Sequence, residues 1–495
     1  MPRLSLSSFA APSAPGCPLM TDPHELQPDS DSPHAHLGLW DAVSIIVGIV
    51  VGTAIFKTPQ NVFANVHGPW LGMGCWLLGG VLALLGSMCY AELATTYPRM
   101  GGDYVYLTRA FGRWVGFLFG WAQLTVILTG SIGAMAYAFG DYAVTLFGWD
   151  PKHSVWLAVG SVVILTVLNL LGVVFGKTVQ NLLTAVKVLG LGAVVVAGFA
   201  WGGDASWASQ KAMEGPGFGL AMVFVLYAYG GWNDSAFVAA EVRHRHRNMP
   251  LALLLGTGGI TVIYLLVNAA FLWGLGFEGV RASLAPAADV ARLAFGAWGA
   301  KGISLLVMAS ALGAINGLIF TGSRIYVSLG ADHRVFAWLG RWNAQRGTPI
   351  RSLLTQSAIA VLLILVVGTQ VGRDWVDRGM TAIMLSPLPW DKYFGGFDTL
   401  VAATAPVFWG FFLLTGYSMM ILRAIDHDVR RPFSAPLYPL EPILFCGMCH
   451  YMLFSAIEYA QGLSLLGLVP LAVGLPLYLF SQWSGKGKGS QGPAA

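Results

Sequence analysis

The sequence predicts an all-α polytopic membrane protein with about twelve transmembrane helices. Of its 495 residues 56% are hydrophobic and only 11% are charged, and long apolar runs recur along nearly the whole chain. A soluble chain typically has about 25% charged residues, so this composition excludes a globule covered by polar side chains. A bilayer-spanning helix needs about 20 apolar residues, and exposed strand edges do not occur in lipid. Helices are therefore the predicted elements.

Twelve apolar runs are long enough to span. They begin near Leu37, Pro69, Trp114, Ser154, Thr178, Gly217, Met249, Trp298, Ser352, Thr399, Glu441 and Leu463. We expect one membrane domain over residues 37–483, between a disordered cytoplasmic tail at 1–36 and a short cytoplasmic tail at 484–495. Met20 is an alternative start to Met1.

The distribution of Lys and Arg between the loops predicts the orientation. With the N-terminus inside, the inner segments hold about twice as many Lys and Arg residues as the outer loops. Short cytoplasmic loops carry such an excess. Both termini are therefore predicted to be cytoplasmic, in the cell membrane.

Two predicted spans are interrupted near their middle. The first reads VGIVVGTAIFKTP from Val47 to Pro59, and the sixth contains YAYGGWND from Tyr227 to Asp234. A close-packing glycine site would explain either one alone. Breaks five spans apart, however, indicate two inverted repeats, with substrate held where the broken helices meet. The repeats are predicted at 37–201 and 217–424, followed by two helices at 437–483.

The breaks expose backbone groups that suit a zwitterion. Free N–H groups at the start of a half-helix attract a carboxylate, and freed carbonyls attract an ammonium group. Beside the second break, Tyr227, Tyr229 and Trp232 offer aromatic surface, although packing is an equal alternative. Asn233 is expected to hydrogen-bond the ligand, and Asp234 to pair with its amine or with an internal cation.

Lys187 lies inside the fifth span. An ionisable residue within a membrane helix is by default a hypothesis about function. We interpret it as a fixed positive charge or a proton-exchanging amine, and snorkelling to the inner interface is the alternative.

Two acids stand near the inner ends of spans. Glu92 lies near the inner end of the second span, and Glu241 closes the sixth span just before the basic run from Arg243 to Arg247 in EVRHRHR. We interpret both as parts of an inner gate that pairs acid with arginine, with helix-end solvation as the alternative. The basic run is interpreted as an anchor to lipid head groups, and no nucleic-acid partner is expected.

The remaining segments are less specific. Residues 101–112 are predicted to form an amphipathic segment at the inner surface, and residues 374–397 a long outer loop over the entrance. The CxxC pair Cys446 and Cys449 lies inside a predicted span and is interpreted as packing. No metal site and no cofactor are expected.

Several stretches, taken in order, resemble the amino acid–polyamine–organocation superfamily, in particular its L-type amino acid transporter branch. They include IIVGIVVGTAIFKTP, CYAELATTYPRMGGDYVYLTRAFG, YAYGGWND, GAINGLIFTGSRIYVSLGADH and RPFSAPLYPLEPILF. The resemblance covers residues 37–483. It implies a leucine-transporter-like 5+5 inverted repeat, with helices 1 and 6 broken, that moves amino acids by alternating access.

The resemblance also implies roles for particular residues. It places the carboxylate clamp at Gly52, Thr53 and Ala54 and the aromatic gate at Tyr227. The full set of predicted substrate contacts is Val51, Gly52, Thr53, Ala54, Ile55, Tyr227, Ala228, Tyr229, Gly230, Gly231 and Asn233. The predicted gating residues are Tyr227, Trp232, Glu92, Glu241 and Asp234. The family lysine of the fifth helix maps onto Lys187, in place of a coupling ion.

Two departures from the family pattern bear on function. The third glycine of the first motif is Ala54, whose methyl group narrows the expected pocket. The loop FGWDPKHSV lacks the cysteine that links eukaryotic relatives to a glycoprotein, so no disulfide-linked heavy chain is expected.

The sequence thus favours a secondary transporter of amino acids, either an exchanger or a proton-coupled permease. Alternatives are a carrier of polyamines or cationic amines with the same fold, and an amino acid sensor that does not transport. No nucleophile–base pair or nucleotide-binding loop is visible, so we do not expect an enzyme.

Overall fold

The computed structural model describes residues 35–203, 217–388, 390 and 396–486. These residues form helices joined by short turns, and the only β pairings among them are two isolated bridges. The all-α prediction is confirmed. Residues 1–34 and 487–495 of the predicted tails, and part of the predicted 374–397 loop, lie outside the described residues.

Seventeen α-helices follow one another along the described chain. They are α1 Leu39–Val50, α2 Ala54–Ala64, α3 Pro69–Thr96, α4 Asp103–Phe111, α5 Arg113–Ala122, α6 Leu128–Phe147, α7 Ser154–Leu170, α8 Val173–Trp201, α9 Phe218–Ala228, α10 Arg245–Ala282, α11 Pro286–Phe295, α12 Ala297–Asp332, α13 Ile350–Gly368, α14 Gln370–Ala382, α15 Gly396–Ile425, α16 Leu440–Ala460 and α17 Ser464–Lys486. A π-helical turn, Gln123–Ile127, joins α5 to α6, and a 3₁₀ segment, Trp232–Glu241, follows α9.

The protein is a multi-pass membrane protein. Within the described ranges, nine helical stretches are long and apolar enough to cross a membrane, or ten if the bent pair of α1 and α2 counts as one span. One of the nine, Leu440–Trp483, contains both α16 and α17, and α9 is too short to be counted alone. The predicted number of twelve and the inverted repeat remain predictions.

Both predicted helix breaks are present. The axes of α1 and α2 differ by 52° across the short linker Val51–Thr53. In the second case α9 ends at Ala228, and the chain continues as a 3₁₀ segment rather than as an α-helix. Each break falls at the glycine-containing stretch from which it was predicted.

The two broken segments lie in the interior of the bundle. Helix α12 packs against α1, α6 and α8 as well as the 3₁₀ segment, and α10 packs against α1, α2 and α3. On the remaining side, α15 packs against α6, α4 and α16. This arrangement surrounds the breaks with protein, which is where non-helical backbone can be accommodated at membrane depth.

Helix α4 differs from the amphipathic surface segment that was predicted. It packs against α5 and α15, and Asp103, Tyr104, Tyr106 and Leu107 are buried. One face of this helix is therefore packed into the protein, while Arg109 on the same helix is exposed. Helix α14 forms the first part of the predicted outer loop, whose residues 389 and 391–395 lie outside the described residues.

Candidate functional site

At the first break, the C-terminus of α1 and the N-terminus of α2 lie next to each other inside the bundle. The N–H of Gly52 bonds to the Val50 carbonyl at 2.7 Å instead of continuing the α-helical pattern. Thr53 then precedes α2, which begins at Ala54. The first N–H groups of a helix have no intrahelical acceptor. Those at the start of α2 can therefore bind an anion.

The carbonyls at the end of α1 are already occupied by the protein's own donors. Lys187 on α8 is fully buried, and its Nζ donates to the carbonyls of Gly48, Val51 and Ser310 at 2.7, 2.9 and 3.1 Å. The Ser310 hydroxyl donates to the Val51 carbonyl at 2.7 Å and lies 3.2 Å from that of Gly52. Lys187 thus sits inside the bundle at the first break, and the snorkelling alternative does not describe its position.

The second break touches the first. Gly231 has φ of 105°, a left-handed conformation that favours glycine. A Cβ at this position would meet Ile49 Cγ2 at 2.8 Å, so the absence of a side chain allows the close approach to α1. The Tyr264 hydroxyl lies 3.1 Å from the Val50 carbonyl and 3.0 Å from that of Ala228. One hydroxyl therefore bridges the two helix ends.

A cavity of about 160 Å³ lies between the breaks. Its wall includes the predicted residues Gly52, Thr53, Ala54, Tyr227, Gly230, Gly231 and Asp234. The remainder comes from α1, the π-helical turn, α6, α12 and α15 and is mostly apolar. A small, largely apolar cavity with a few polar groups is typical of a small-molecule site.

Five predicted contacts lie behind the cavity wall. Ile55 is fully buried in the core, and Val51 presents its carbonyl to Lys187. The Ala228 carbonyl faces Tyr264, and the Tyr229 hydroxyl donates to the Trp76 carbonyl at 3.0 Å. Asn233 is buried, and its amide donates to Asp234 Oδ1 at 3.0 Å. Asn233 is therefore placed to orient Asp234.

Trp232, predicted to gate, packs in an aromatic cluster instead of facing the cavity. Its ring centroid lies 5.1 Å from that of Tyr90, 5.5 Å from Phe412 and 6.1 Å from Phe445. The cluster joins the second break to α3, α15 and α16. Tyr227 is the aromatic residue of this segment that lines the cavity.

The sequence reasoning did not single out several residues of the wall. They are Gln123, Ser131 and Met135 near the π-helical turn, and Thr404, Phe408 and Trp409 on α15. A glutamine within an otherwise apolar span was the available signal for Gln123. Its side-chain Oε1 is buried without a hydrogen-bond partner among the described residues. π-Helical turns often occur at functional sites.

Ion pairs cluster at one end of the bundle, which we call the arginine-rich end because Arg109, Arg324, Arg423 and Arg431 lie there. Glu241 accepts from Arg324 Nε and Nη2 at 2.8 and 3.2 Å, and both side chains are almost fully buried. The pair joins the 3₁₀ segment to α12.

Glu92 forms a second cluster at this end. It accepts from Arg423 through both carboxylate oxygens, from the Ala435 N–H at 2.7 Å, and lies 3.4 Å from Arg431 Nε. A third carboxylate, Asp426, binds Arg109 and accepts from Tyr97 at 2.8 Å. The predicted acid–arginine pairing of Glu92 and Glu241 is present.

The part of the chain that the structure describes holds no cluster of three or more His, Cys, Asp or Glu side chains suited to a metal ion. Cys446 and Cys449 are buried in α16 as free thiols.

The amino acid permease family model matches residues 37–474. The chain belongs to the amino acid permease family. Like its relatives, the permease is a transport protein rather than an enzyme, and it falls among the L-type-like members of the amino acid–polyamine–organocation superfamily.

Curated relatives align with this permease over most of their length. The serine/threonine exchanger SteT of Bacillus subtilis is 29% identical over 450 residues, which cover 89% of this chain and 95% of SteT. The b(0,+)-type amino acid transporter 1 of Mus musculus is 29% identical over 434 residues, covering 85% and 83% of the two chains. The large neutral amino acids transporter small subunit 2 of Homo sapiens is 28% identical over 468 residues, covering 91% and 81%. These similarities support amino acid transport.

Proposed function

We propose that the protein is a secondary active transporter that moves amino acids across the cell membrane by alternating access. The observation that carries the proposal is the cavity between the two breaks, with the N-terminus of α2 at its wall. The substrate carboxylate binds the N–H groups near Thr53 and Ala54, where the helix dipole is positive. The substrate amine faces the side chain of Asp234 at the cavity wall.

The side chain of the substrate occupies the apolar part of the cavity. Ile127, Leu128 and Phe408 contribute to this region, and Tyr227 stands beside it. Ala54 also lines the cavity, and we expect its methyl group to limit the size of the substrate. A cavity of about 160 Å³ suits a single small amino acid better than a large ligand, since the pockets that hold drug-sized ligands have volumes of about 300–1,000 Å³.

The arginine-rich end is the cytoplasmic end. The excess of Lys and Arg in the loops at this end supports that orientation. In this conformation of the protein, the ion pairs of Glu92 and Glu241 with arginine close the cytoplasmic path. Opening the inner gate requires that these ion pairs separate. Buried ion pairs are well suited to such a two-state contact because the charges must exchange protein partners for water.

The test is transport by the purified protein in liposomes. Labelled L-serine, L-leucine, L-lysine and putrescine are each offered to vesicles preloaded with the same unlabelled compound. We expect at least one amino acid to enter by counterflow and unlabelled compound to leave. Exchange is supported by the named function of SteT.

Other outcomes separate the alternatives. Entry of putrescine without any amino acid would replace the cargo with a cationic amine, for which Asp234 at the wall is a suitable partner. Thermal stabilisation by amino acids without movement of any compound would favour a sensor and contradict the proposal.

A further inference from the structure

Two buried carboxylates near the second break, Asp103 and Asp234, differ from Glu92 and Glu241 in their partners. Glu92 and Glu241 each pair with arginine. In contrast, no lysine, arginine or histidine lies within 4 Å of either aspartate in the described part of the chain. A buried carboxylate without a cation is costly when it is ionised.

The two aspartates lie on segments that contact each other. Asp103 is the first residue of α4, and Asp234 is in the 3₁₀ segment. The Gly101 N–H donates to the Phe237 carbonyl at 3.2 Å, and a Cβ on Gly102 would meet the Ala236 backbone at 3.0 Å. This contact holds the two carboxylates close enough to repel each other.

Each carboxylate has few hydrogen bonds. Asp103 Oδ1 accepts from the Tyr90 hydroxyl, while its Oδ2 is buried without a partner among the described residues. Thr415 also contacts Asp103, and Asn233 donates to Asp234. Burial raises the pKa of the Asp103 carboxyl to about 6, against the lowering effect of the bonds from Tyr90 and Thr415. One of two like charges in such a site is readily neutralised by a proton.

The other titratable groups around the pair are neutral near pH 7. They are Tyr90 on α3, Tyr106 on α4, Tyr326 on α12 and Cys449 on α16. Phenols and a buried thiol keep their protons at this pH. Among these side chains, a carboxylate of the aspartate pair is therefore the group that can take up a proton near pH 7.

We propose that Asp103 and Asp234 together bind one proton that is transported with the amino acid, so that uptake is driven by a proton gradient. The inference rests on the proposed function and adds the coupling ion and its site. Asp234 is at the cavity wall and takes the proton from water there. Protonation removes one negative charge from the cavity wall, and the cavity then binds the zwitterionic amino acid.

Asp103 lies behind the wall and shares the proton while the cavity is closed. When the cavity opens to the other side, the proton leaves to water there and the carboxylate pair is restored. On the side of uptake an O–H bond to water breaks and one to an aspartate forms, and on the side of release the reverse occurs. No other reactant is required.

The experiment measures accumulation of labelled L-serine, L-leucine or L-lysine in liposomes with an alkaline interior and the membrane potential clamped at zero. With one proton per substrate, a gradient of about one pH unit gives about tenfold accumulation, because a factor of ten corresponds to about 1.4 kcal/mol. We expect Asp103→Asn to retain counterflow but to lose accumulation. The matched control, Asp150→Asn in an exposed loop, should accumulate like the wild type.

Equal accumulation by Asp103→Asn and wild type would overturn the proposal, as would brisk wild-type exchange without accumulation. If Asp103→Asn does not fold, Tyr90→Phe replaces it, and the pH midpoint of uptake should shift because Asp103 loses its donor.

A second measurement does not depend on transport. Infrared difference spectra of the detergent-purified protein between about pH 5 and about pH 8 should show a protonated carboxyl band, since this interval brackets a raised aspartate pKa. The band should be absent in Asp103→Asn and Asp234→Asn. A wild type that transports nothing but shows this band would contradict the proposed function and keep the proton site. Absence of the band, or its persistence in both variants, would overturn the proton site.

Discussion

Replacing Lys187 with methionine removes the ammonium group that holds the end of α1. The side chain keeps its length, but the carbonyls of Gly48 and Ser310 lose their charged donor, and that of Val51 keeps only Ser310 Oγ. The Gly48 carbonyl also lacks its usual partner, because the Gly52 N–H bonds to Val50. The Gly48 carbonyl is thereby orphaned, whereas that of Ser310 lies within α12 and keeps its intrahelical donor, so the expected cost is about 1–3 kcal/mol.

This cost falls on the segment that forms the cavity. An increase of only about 1.4 kcal/mol in the transport barrier lowers the rate about tenfold. We therefore expect Lys187→Met to slow counterflow at least about tenfold while the protein still elutes as a single folded species. Lys187→Arg should be impaired as well, because a Cβ on Gly313 would lie only 2.9 Å from Lys187 Nζ, and this space is too narrow for a guanidinium group.

The matched control is Lys177→Met on the same helix. Lys177 Nζ lies 3.2 Å from Asp41 Oδ2, and both side chains are partly exposed. Partly exposed pairs contribute about 0–1 kcal/mol, so counterflow should change little. Wild-type counterflow by Lys187→Met, measured at equal protein density in liposomes, would refute the reasoning.

Three further variants test the contacts that form the site. Gly231→Ala should reduce counterflow, since a left-handed φ of 105° costs a non-glycine residue about 1–3 kcal/mol and the added Cβ would meet Ile49 on α1. The control Gly258→Ala has open space around the added Cβ and should leave counterflow unchanged. Glu241→Gln should lower the thermal unfolding temperature in detergent, since breaking a buried ion pair costs about 3–5 kcal/mol. Joint replacement of Glu241 and Arg324 by methionine should recover part of this loss. If Glu241→Gln is as stable as the wild type, the prediction is wrong. Ala54→Gly should improve inhibition of L-serine uptake by L-leucine relative to L-alanine, and an unchanged ratio of inhibition constants would show that the methyl group does not set the substrate size.

The helix breaks were predictable because their cause is local. A glycine-containing interruption followed by polar residues is unfavourable in a membrane helix unless the backbone turns there. Gly52 and Gly231 both lie in such interruptions, and the structure has a break at each. The position of Lys187 within its span likewise indicated that its charge needs partners inside the bundle.

The direction of individual side chains was not predictable, because it depends on the helix type after the break. A 3₁₀ segment has 3.0 residues per turn instead of 3.6. In the observed segment Trp232 and Asn233 turn into the protein and Asp234 reaches the cavity. Asp103 was missed for a related reason: its segment was interpreted as a membrane-surface helix, and only tertiary packing places it against the second break.

The distribution of charge around the first break bears on energy coupling. The negative end of α1 already holds an ammonium group, since Lys187 contacts two of its carbonyls. A metal cation placed at these carbonyls would have to displace that group and repel it at short range. The positive end of α2 remains available to a substrate carboxylate. A transporter built in this way must take its driving force from the exchanged substrate or from an ion bound elsewhere, and the carboxylates of Asp103 and Asp234 are the site that we propose for a proton.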